Sequence, residues 1–236
     1  VLAEKWEPNE DASEWTFTLR QGVTFHDGTP FTSKDAAYSI GRLLDEELGS
    51  PLFSRLEPSL DPDGIESPDD TTLVLTLKRP DSLIPLALSA RHAMVVKEGT
   101  KDFALANAQG TGPFKVKSFQ PGQSWEVEKN ASYWDSEGGN KLPYLDKVLI
   151  KFIVEPSTLV AAVKTGEVDG INNVAPQFVA DLRKDPKLNV FSAVGGNWRC
   201  LPMNLAKEPF NDKNLRKAVA FALDHVSPMI PALAAA

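Results

Sequence analysis

Apolar and polar residues alternate along two stretches in the first third of the chain. In residues 14–20 (EWTFTLR), Trp15, Phe17 and Leu19 alternate with polar residues, and in residues 72–78 three leucines fall on one face. A period of two with aromatic residues is typical of half-buried strands. We therefore expect both stretches to lie in one antiparallel sheet.

A helical period separates these two strands. Ser33 is a suitable N-cap, and the apolar residues that follow recur at three- and four-residue spacing as one stripe: Ala36, Ala37, Ile40, Leu43 and Leu44. Such a stripe behind a capping residue predicts an amphipathic helix.

The middle of the chain begins with a hairpin pattern. Residues 110–130 contain two strand-like runs around the turn sequence QPGQ. The run at 147–155 (KVLIKFIVE) has few polar residues, so we expect a strand in the centre of a sheet.

Helices and strands then alternate. Pro156 suits the first turn of a helix and Gly166 its C-cap, and a second helix is predicted at 175–185. Short strands are predicted at 168–171 and 188–194. The alternation predicts a mixed α/β fold with a partly parallel, wound sheet. A last amphipathic helix follows at 211–225, with Asn211 or Asp212 as its cap.

Charge and composition narrow the classes of function. The 236 residues carry a net charge of −7, which argues against a general nucleic-acid binder. No run approaches the ~18 apolar residues of a membrane helix. Cys200 is the single cysteine, so no internal disulfide can form, and the three scattered histidines predict neither a metal site nor a cofactor.

His26 and Asp27 stand side by side in the sequence FHDGTPFTS. They are an acid–base pair, half of a metal site, or part of a turn. Neighbouring residues on a turn point in different directions, and Asp-Gly is a favoured turn dipeptide, so the turn is the favoured interpretation. Residues 110–115 (GTGPFK) lack the frame of a phosphate loop and indicate a glycine turn before a strand, or a place where a ligand approaches the backbone.

Four residues are candidate ligand contacts: Arg91, His92, Trp198 and Arg199. An arginine beside an aromatic ring can hold a carboxylate or stack on the ring, but surface ion pairing and core filling are equally good explanations. Neighbours on a strand point to opposite faces, so Trp198 and Arg199 cannot both face the ligand unless the strand bulges. If only one does, we favour Trp198, because ordering a large rigid aromatic side chain costs little entropy. Asp169, in GEVDG, is interpreted as a structural cap.

Several phrases, in this order, resemble one known family. They are the stretch from LAEKWEPNEDASEWTF to FHDGTPFTSKDAAYSI, then GTGPFKVKSF, NASYWD, PYLDKVLIKFI, VKTGEVDG and PFNDKNLRKAVAFALD. Together they are similar to the solute-binding proteins of peptide/nickel ABC transporters, bacterial solute-binding protein family 5, over nearly all of residues 1–225.

This resemblance implies a two-lobed protein with a type II periplasmic-binding-protein-like fold that closes on a solute. The expected ligand is a di- or oligopeptide, otherwise a nickel complex, a sugar or an opine, delivered to the permease subunits of an ABC transporter. It implies a monomer without catalytic activity, periplasmic or extracellular, that meets the membrane only through the transporter or an anchor.

The resemblance also implies a division of the chain. Residues 1–105 form an extra subdomain of the first lobe, 106–197 the core of that lobe, and 198–236 the hinge crossing and the start of a second lobe. Family members are longer, so we expect the second lobe to be largely missing from this sequence.

Two other classes of function are compatible with the residues. One is a hydrolase with Cys200 as its nucleophile and a histidine base; the other is a protein-interaction domain. A thiol-reactive probe distinguishes the hydrolase from a binding protein. An accessible Cys200 thiolate of low pKa would react rapidly at neutral pH, whereas a buried structural thiol would not.

Overall fold

The computed structural model describes residues 1–104, 108–193 and 201–222, and the chain divides into two units, Val1–Phe152 and Ile153–Ala236. The strands are β1 Ala3–Pro8, β2 Glu14–Leu19, β3 Leu60–Asp69, β4 Thr72–Leu77, β5 Phe114–Gln120, β6 Ser124–Lys129, β7 Ser136–Glu137, β8 Asn140–Lys141 and β9 Lys147–Lys151. The helices are α1 Ser33–Leu43, α2 Phe53–Leu56, α3 Ile84–Leu88, α4 Pro156–Thr165, α5 Pro176–Arg183 and α6 Lys213–Ala222, with a 3₁₀ turn at Glu46–Leu48. The boundaries predicted at 105 and 197 stay predictions.

The first unit contains a four-stranded antiparallel sheet in the order β1-β2-β4-β3. Trp15 lies opposite Leu75 and Phe17 opposite Leu73, which confirms the predicted pairing of the two alternating stretches. The edge strands β1 and β3 were not predicted. Pro62, Gly64 and Pro68 interrupt the apolar pattern of β3, and its register with β4 is irregular at two places.

One face of this sheet carries the hydrophobic core of the unit. The side chains of Phe25, Leu56, Leu60, Leu75 and Ile84 are almost completely removed from solvent. Burying a side chain of this size contributes about 2 kcal/mol to folding. Helix α1 contacts β3 and β4 and adds its predicted apolar stripe, of which Ala36, Ile40 and Leu43 are buried.

The cap of α1 lies one residue before the predicted one. Thr32 is the N-cap, and its backbone N–H donates to the Asp35 carboxylate at 2.8 Å. Ser33 is fully buried instead, and its hydroxyl donates to the carbonyl of Asp69. Ser33 was therefore wrong as the cap because its hydroxyl bonds to the end of β3 rather than to the helix.

The first unit also contains a three-stranded antiparallel sheet in the order β5-β6-β9. Strands β5 and β6 form the predicted hairpin, and Gly122 supplies the left-handed turn residue with φ +71°. Among the described residues, β9 pairs with β6 alone and lies at the edge of the sheet, so its predicted central position was wrong. Leu149 and Ile150 are correspondingly 50% and 39% exposed.

Helices make up the regular structure of the described part of the second unit. Pro156 opens α4 and Gly166 ends it with φ +76°, as predicted. The strands predicted at 168–171 and 188–194 were wrong, because residues 168–171 and 188–193 pair with no strand among the described residues. All the ladders described are antiparallel, so the mixed α/β class is confirmed without the expected parallel pairs. Within residues 1–104, 108–193 and 201–222, each helix is too short or too polar to span a bilayer.

Candidate ligand-binding site

A cavity of about 440 Å³ lies within the second unit. Helices α4 and α5 and the two segments that follow them surround it. Most of its wall is apolar, and three polar side chains accompany that wall: Asp169, Lys187 and Asn189. The apolar lining is Val163, Ile171, Val174, Leu182, Leu188, Val190 and Phe191. A concave apolar site with a few polar groups is the usual form of a small-molecule site.

The end of α4 brings one side of the cavity into place. Gly166 adopts the left-handed conformation, and the N–H groups of Glu167 and Val168 both donate to the carbonyl of Ala162, at 2.9 and 3.3 Å. These bonds close the helix and turn the chain back. Asp169 is consequently held at the cavity, three residues past the C-cap Gly166.

The turn after α5 supplies the other side. The N–H of Leu188 donates to the carbonyl of Asp185 at 3.1 Å, and the N–H of Lys187 donates to the Asp185 carboxylate at 3.0 Å. Leu182, on α5, is buried and contributes to the apolar wall. The sequence analysis missed Lys187 and Asn189, because surface-type residues in a predicted turn and strand carry no signal for a ligand.

Asp169 was wrong as a structural cap. It is exposed at the cavity, and no hydrogen bond within the described part of the chain fixes its carboxylate. A carboxylate, an ammonium group and an amide on an apolar wall can bind a small molecule with charges of both signs. The described residues contain no group of three His, Cys, Asp or Glu that could hold a metal ion.

The sequence-predicted contacts fall in two places. Arg91 and His92 are both exposed and adjacent, in a turn just after α3 in the first unit, where the Ala93 N–H donates to the carbonyl of Ala90 at 2.9 Å. Trp198 and Arg199 lie outside the described residues, as does Cys200. The grouping of these four side chains in one site stays a prediction.

His26 and Asp27 form a turn, as predicted, and their side chains bond to different partners. The Asp27 carboxylate accepts hydrogen bonds from the Thr29 hydroxyl at 2.6 Å and the Thr29 N–H at 2.9 Å. These bonds, with the Lys97 ammonium group at 3.0 Å, lower the pKa of Asp27 to about 2. The His26 ring bonds to the backbone of Gly110 and Gly112 instead, so the two residues are not a coupled acid–base pair.

Comparison with known proteins places the chain among binding proteins. The profile of the bacterial extracellular solute-binding proteins, family 5 (middle), matches residues 1–227. The chain belongs to this family. The resemblance described above is thereby confirmed, and this family is one of solute-binding rather than catalytic proteins.

Relatives and solved structures agree with this assignment. A probable D,D-dipeptide-binding periplasmic protein, DdpA of Escherichia coli (strain K12), is 31% identical over 233 residues, which are 95% of this chain and 43% of that protein. The structure of MoaA from A. tumefacien R10 in complex with mannopinic acid aligns with a TM-score of 0.80 at 28% identity, over 95% of this chain and 45% of MoaA.

A third relative supports the fold alone. NikZ from Campylobacter jejuni, in complex with Ni(L-His), aligns with a TM-score of 0.78 at 23% identity over 95% of this chain and 44% of NikZ. These alignments confirm the periplasmic-binding-protein-like fold. The chain spans under half the length of each of these three proteins.

Proposed function

We propose that this chain contributes to an extracytoplasmic solute-binding protein that delivers its solute to the permease of an ABC transporter. The observation that carries this proposal is the family match over residues 1–227. The alignment with MoaA over 95% of this chain supports it. Several relatives carry names with the same meaning, among them a probable peptide ABC transporter periplasmic-binding protein of Sinorhizobium fredii.

The solute we favour is a di- or oligopeptide. Relatives of similar identity include the periplasmic oligopeptide-binding protein OppA of Salmonella typhimurium, 31% identical over 257 residues. The cavity of the second unit offers Asp169 and Lys187, which suit an ammonium and a carboxylate group, beside an apolar wall. A nickel complex, a sugar and an opine are the alternatives, and MoaA and NikZ supply probes for two of them.

Arg91, His92, Trp198 and Arg199 are further proposed ligand contacts. Arg91 and His92 are exposed, so a ligand can reach them without rearrangement of the core. An arginine that binds a carboxylate through two parallel hydrogen bonds gives both affinity and orientation. We further propose that the protein is periplasmic or otherwise extracytoplasmic and acts as a monomer.

Isothermal titration tests the proposal on the protein that carries this sequence. The probes are Ala-Ala as a dipeptide, trialanine, Ni(L-His) and mannopinic acid. We expect one of the two peptides to bind with one site per chain. Binding of Ni(L-His) or mannopinic acid alone would replace the peptide assignment, and heats at the level of buffer for all four would contradict solute binding of these classes.

Variants locate the site. Arg91→Ala is expected to weaken binding by about 2 kcal/mol, or roughly thirtyfold, if Arg91 is an anchor. Lys34→Ala, a change of an exposed residue of α1, is the matched control and should leave affinity unchanged. Asp169→Asn and Lys187→Met test the cavity in the same way, and full affinity in all three site variants would contradict the assignment of these residues.

A further inference from the structure

The side chain of His26 joins two segments that are far apart in sequence. Its Nε2 lies 3.0 Å from the carbonyl oxygen of Gly112, and the N–H of Gly110 donates to its Nδ1 at 3.3 Å. The backbone N–H of His26 also donates to the carbonyl of Gly110 at 2.8 Å. The turn before α1 is thus fastened to the loop that leads into β5.

This pair of ring contacts requires one protonation state. A carbonyl can only accept, so Nε2 must carry a proton, and a backbone N–H can only donate, so Nδ1 must be bare. The imidazole that fits both partners is therefore neutral, with its proton on Nε2. Protonation at Nδ1 would place two N–H groups against each other and remove the bond from Gly110.

The two charged side chains near the His26 ring, Lys115 and Asp27, each bind a group other than the ring. Lys115 donates from its Nζ to the backbone carbonyl of His26 at 2.9 Å, and its positive charge disfavours a second one on the ring. Asp27 favours a charged ring but pairs with Lys97 at 3.0 Å. Removal of the half-buried ring from water is the largest effect, and together these surroundings lower the pKa of His26 below its ordinary 6.5.

Asn130 also binds the loop on the other side of the contact. Its side-chain amide donates to the carbonyl of Gly112 at 3.0 Å, and its backbone N–H donates to the carbonyl of Pro113 at 2.8 Å. A side chain at Gly112 would meet no atom within 4 Å, and one at Gly110 would meet only the His26 ring and the Gly112 nitrogen at ordinary contact distance. Neither glycine is therefore tightly enclosed by other side chains on its Cβ side.

We propose that His26 is a pH-sensitive latch that binds the Gly110 N–H of the 110–112 loop when the ring is neutral and loosens the loop by losing that bond when the ring is protonated. The sign follows from linkage: the folded state prefers the neutral ring, so the latch contributes fully above pH 6.5. Its contribution declines as the pH falls below 6.5 towards the lower pKa of the folded state. Carboxylates of ordinary pKa titrate below this window.

Nuclear magnetic resonance tests the latch on the protein that carries this sequence. At pH 7.5 we expect the nitrogen chemical shifts of the His26 ring to be those of a neutral imidazole protonated on Nε2. We also expect the Gly110 amide to lose several-fold of its protection from hydrogen exchange between pH 7.5 and pH 5, after correction for the intrinsic rate. The loss must follow the titration of the His26 ring. An Nδ1-protonated ring at pH 7.5, or a Gly110 amide whose protection is independent of the ring titration, would overturn the proposal.

Two substitutions separate His26 from other titrating groups. His26→Gln retains a side-chain N–H that can reach Gly112 but cannot titrate, so protection at Gly110 should become independent of pH. His92→Gln removes an exposed histidine and should leave the step intact. A step that persists in a folded His26→Gln protein would contradict the latch. If that variant does not fold, the shared midpoint of ring and amide in the unaltered protein decides.

Discussion

The two sheets of the first unit differ in how their apolar residues are covered. In the four-stranded sheet, β2 and β4 each place three apolar side chains in the core, none more than 7% exposed. In the three-stranded sheet, Val127 is buried, whereas Leu149 and Ile150 on β9 are at least 39% exposed. One sheet is flanked by covering helices and loops, and the other presents an edge strand with exposed leucine and isoleucine.

This difference shows where the fold is stabilised. Hydrophobic stabilisation is proportional to the apolar area removed from water, so it is concentrated around β2, β4 and α1. The second sheet depends more on its backbone ladder and on surface ion pairs. We therefore expect substitutions of the same type to have unequal effects in the two regions.

The largest effect is expected for a truncation in the first core. Leu75 is completely buried in β4, so Leu75→Ala should lower the free energy of unfolding by about 3 kcal/mol. Leu149→Ala removes the same atoms from a half-exposed position on β9 and should cost below about 1 kcal/mol. Urea unfolding compares the two variants, and equal losses would contradict the contrast between the sheets.

A close backbone approach in the first sheet gives the next effect. A Cβ atom on Gly64 would lie 2.7 Å from the carbonyl oxygen of Thr76, so Gly64→Ala should destabilise the protein by about 2 kcal/mol. Gly41 in α1 has open space around it, and Gly41→Ala should stabilise by roughly 0.5–1 kcal/mol. The thermal unfolding midpoint should thus fall in Gly64→Ala and rise in Gly41→Ala. An unchanged midpoint in Gly64→Ala would show that the strands can move apart at this position with no loss of stability.

A smaller effect is expected from the ion pair between α2 and the segment before α3. Arg55 holds Asp81 through two hydrogen bonds, at 2.8 and 3.3 Å, and chiefly these lower the pKa of Asp81 to about 2. Asp81→Asn should cost about 1 kcal/mol at pH 7, since Arg55 is partly exposed and solvent screens the pair.

The pH dependence of that variant has a definite sign. The folded pKa of Asp81 is depressed, so its contribution is present above its ordinary value of 3.8 and is lost as the pH falls through about 2. Unfolding measured from pH 7 to pH 3 should show the gap between Asp81→Asn and the unaltered protein narrowing below pH 4. A gap that widens on acidification would contradict this assignment.

The smallest effect is expected on the polar face of the second sheet. Glu126 contacts Lys117 at 3.0 Å and also pairs with Lys147. Both partners are about half exposed, so Glu126→Gln should change stability only slightly. The change should disappear in 1 M NaCl, where exposed charges are screened over about 3 Å. A salt-independent loss in thermal unfolding would show that Glu126 has a packing role.

Local patterns predicted much of the fold. Alternation identified β2 and β4, the sequence QPGQ identified the β5–β6 hairpin, and Pro156 with Gly166 bounded α4. The apolar run of 147–155 was misleading because it reports hydrophobicity and not the number of neighbouring strands. The strands expected at 168–171 and 188–194 were wrong for a related reason, since a strand needs a partner strand that local sequence cannot identify.

The candidate site was less accessible to sequence reasoning. Arg91 and His92 were predicted as ligand contacts from their side-chain chemistry. Both are exposed, which is compatible with ligand binding, and their contact with a ligand stays a prediction. Lys187 and Asn189 reach the cavity only because a turn closed by Asp185 follows α5. The bonds of His26 to Gly110 and Gly112 span more than eighty residues, so only tertiary structure could reveal them.

Hydrogen exchange measured by mass spectrometry tests the contrast between the two sheets most directly. β4 has a strand on each side and a buried apolar face, whereas β9 has a partner on one side only within the described residues. We predict that peptides covering Thr72–Leu77 exchange at least about tenfold more slowly than peptides covering Lys147–Lys151. Equal protection of the two strands would contradict the claim that stability is concentrated around the four-stranded sheet.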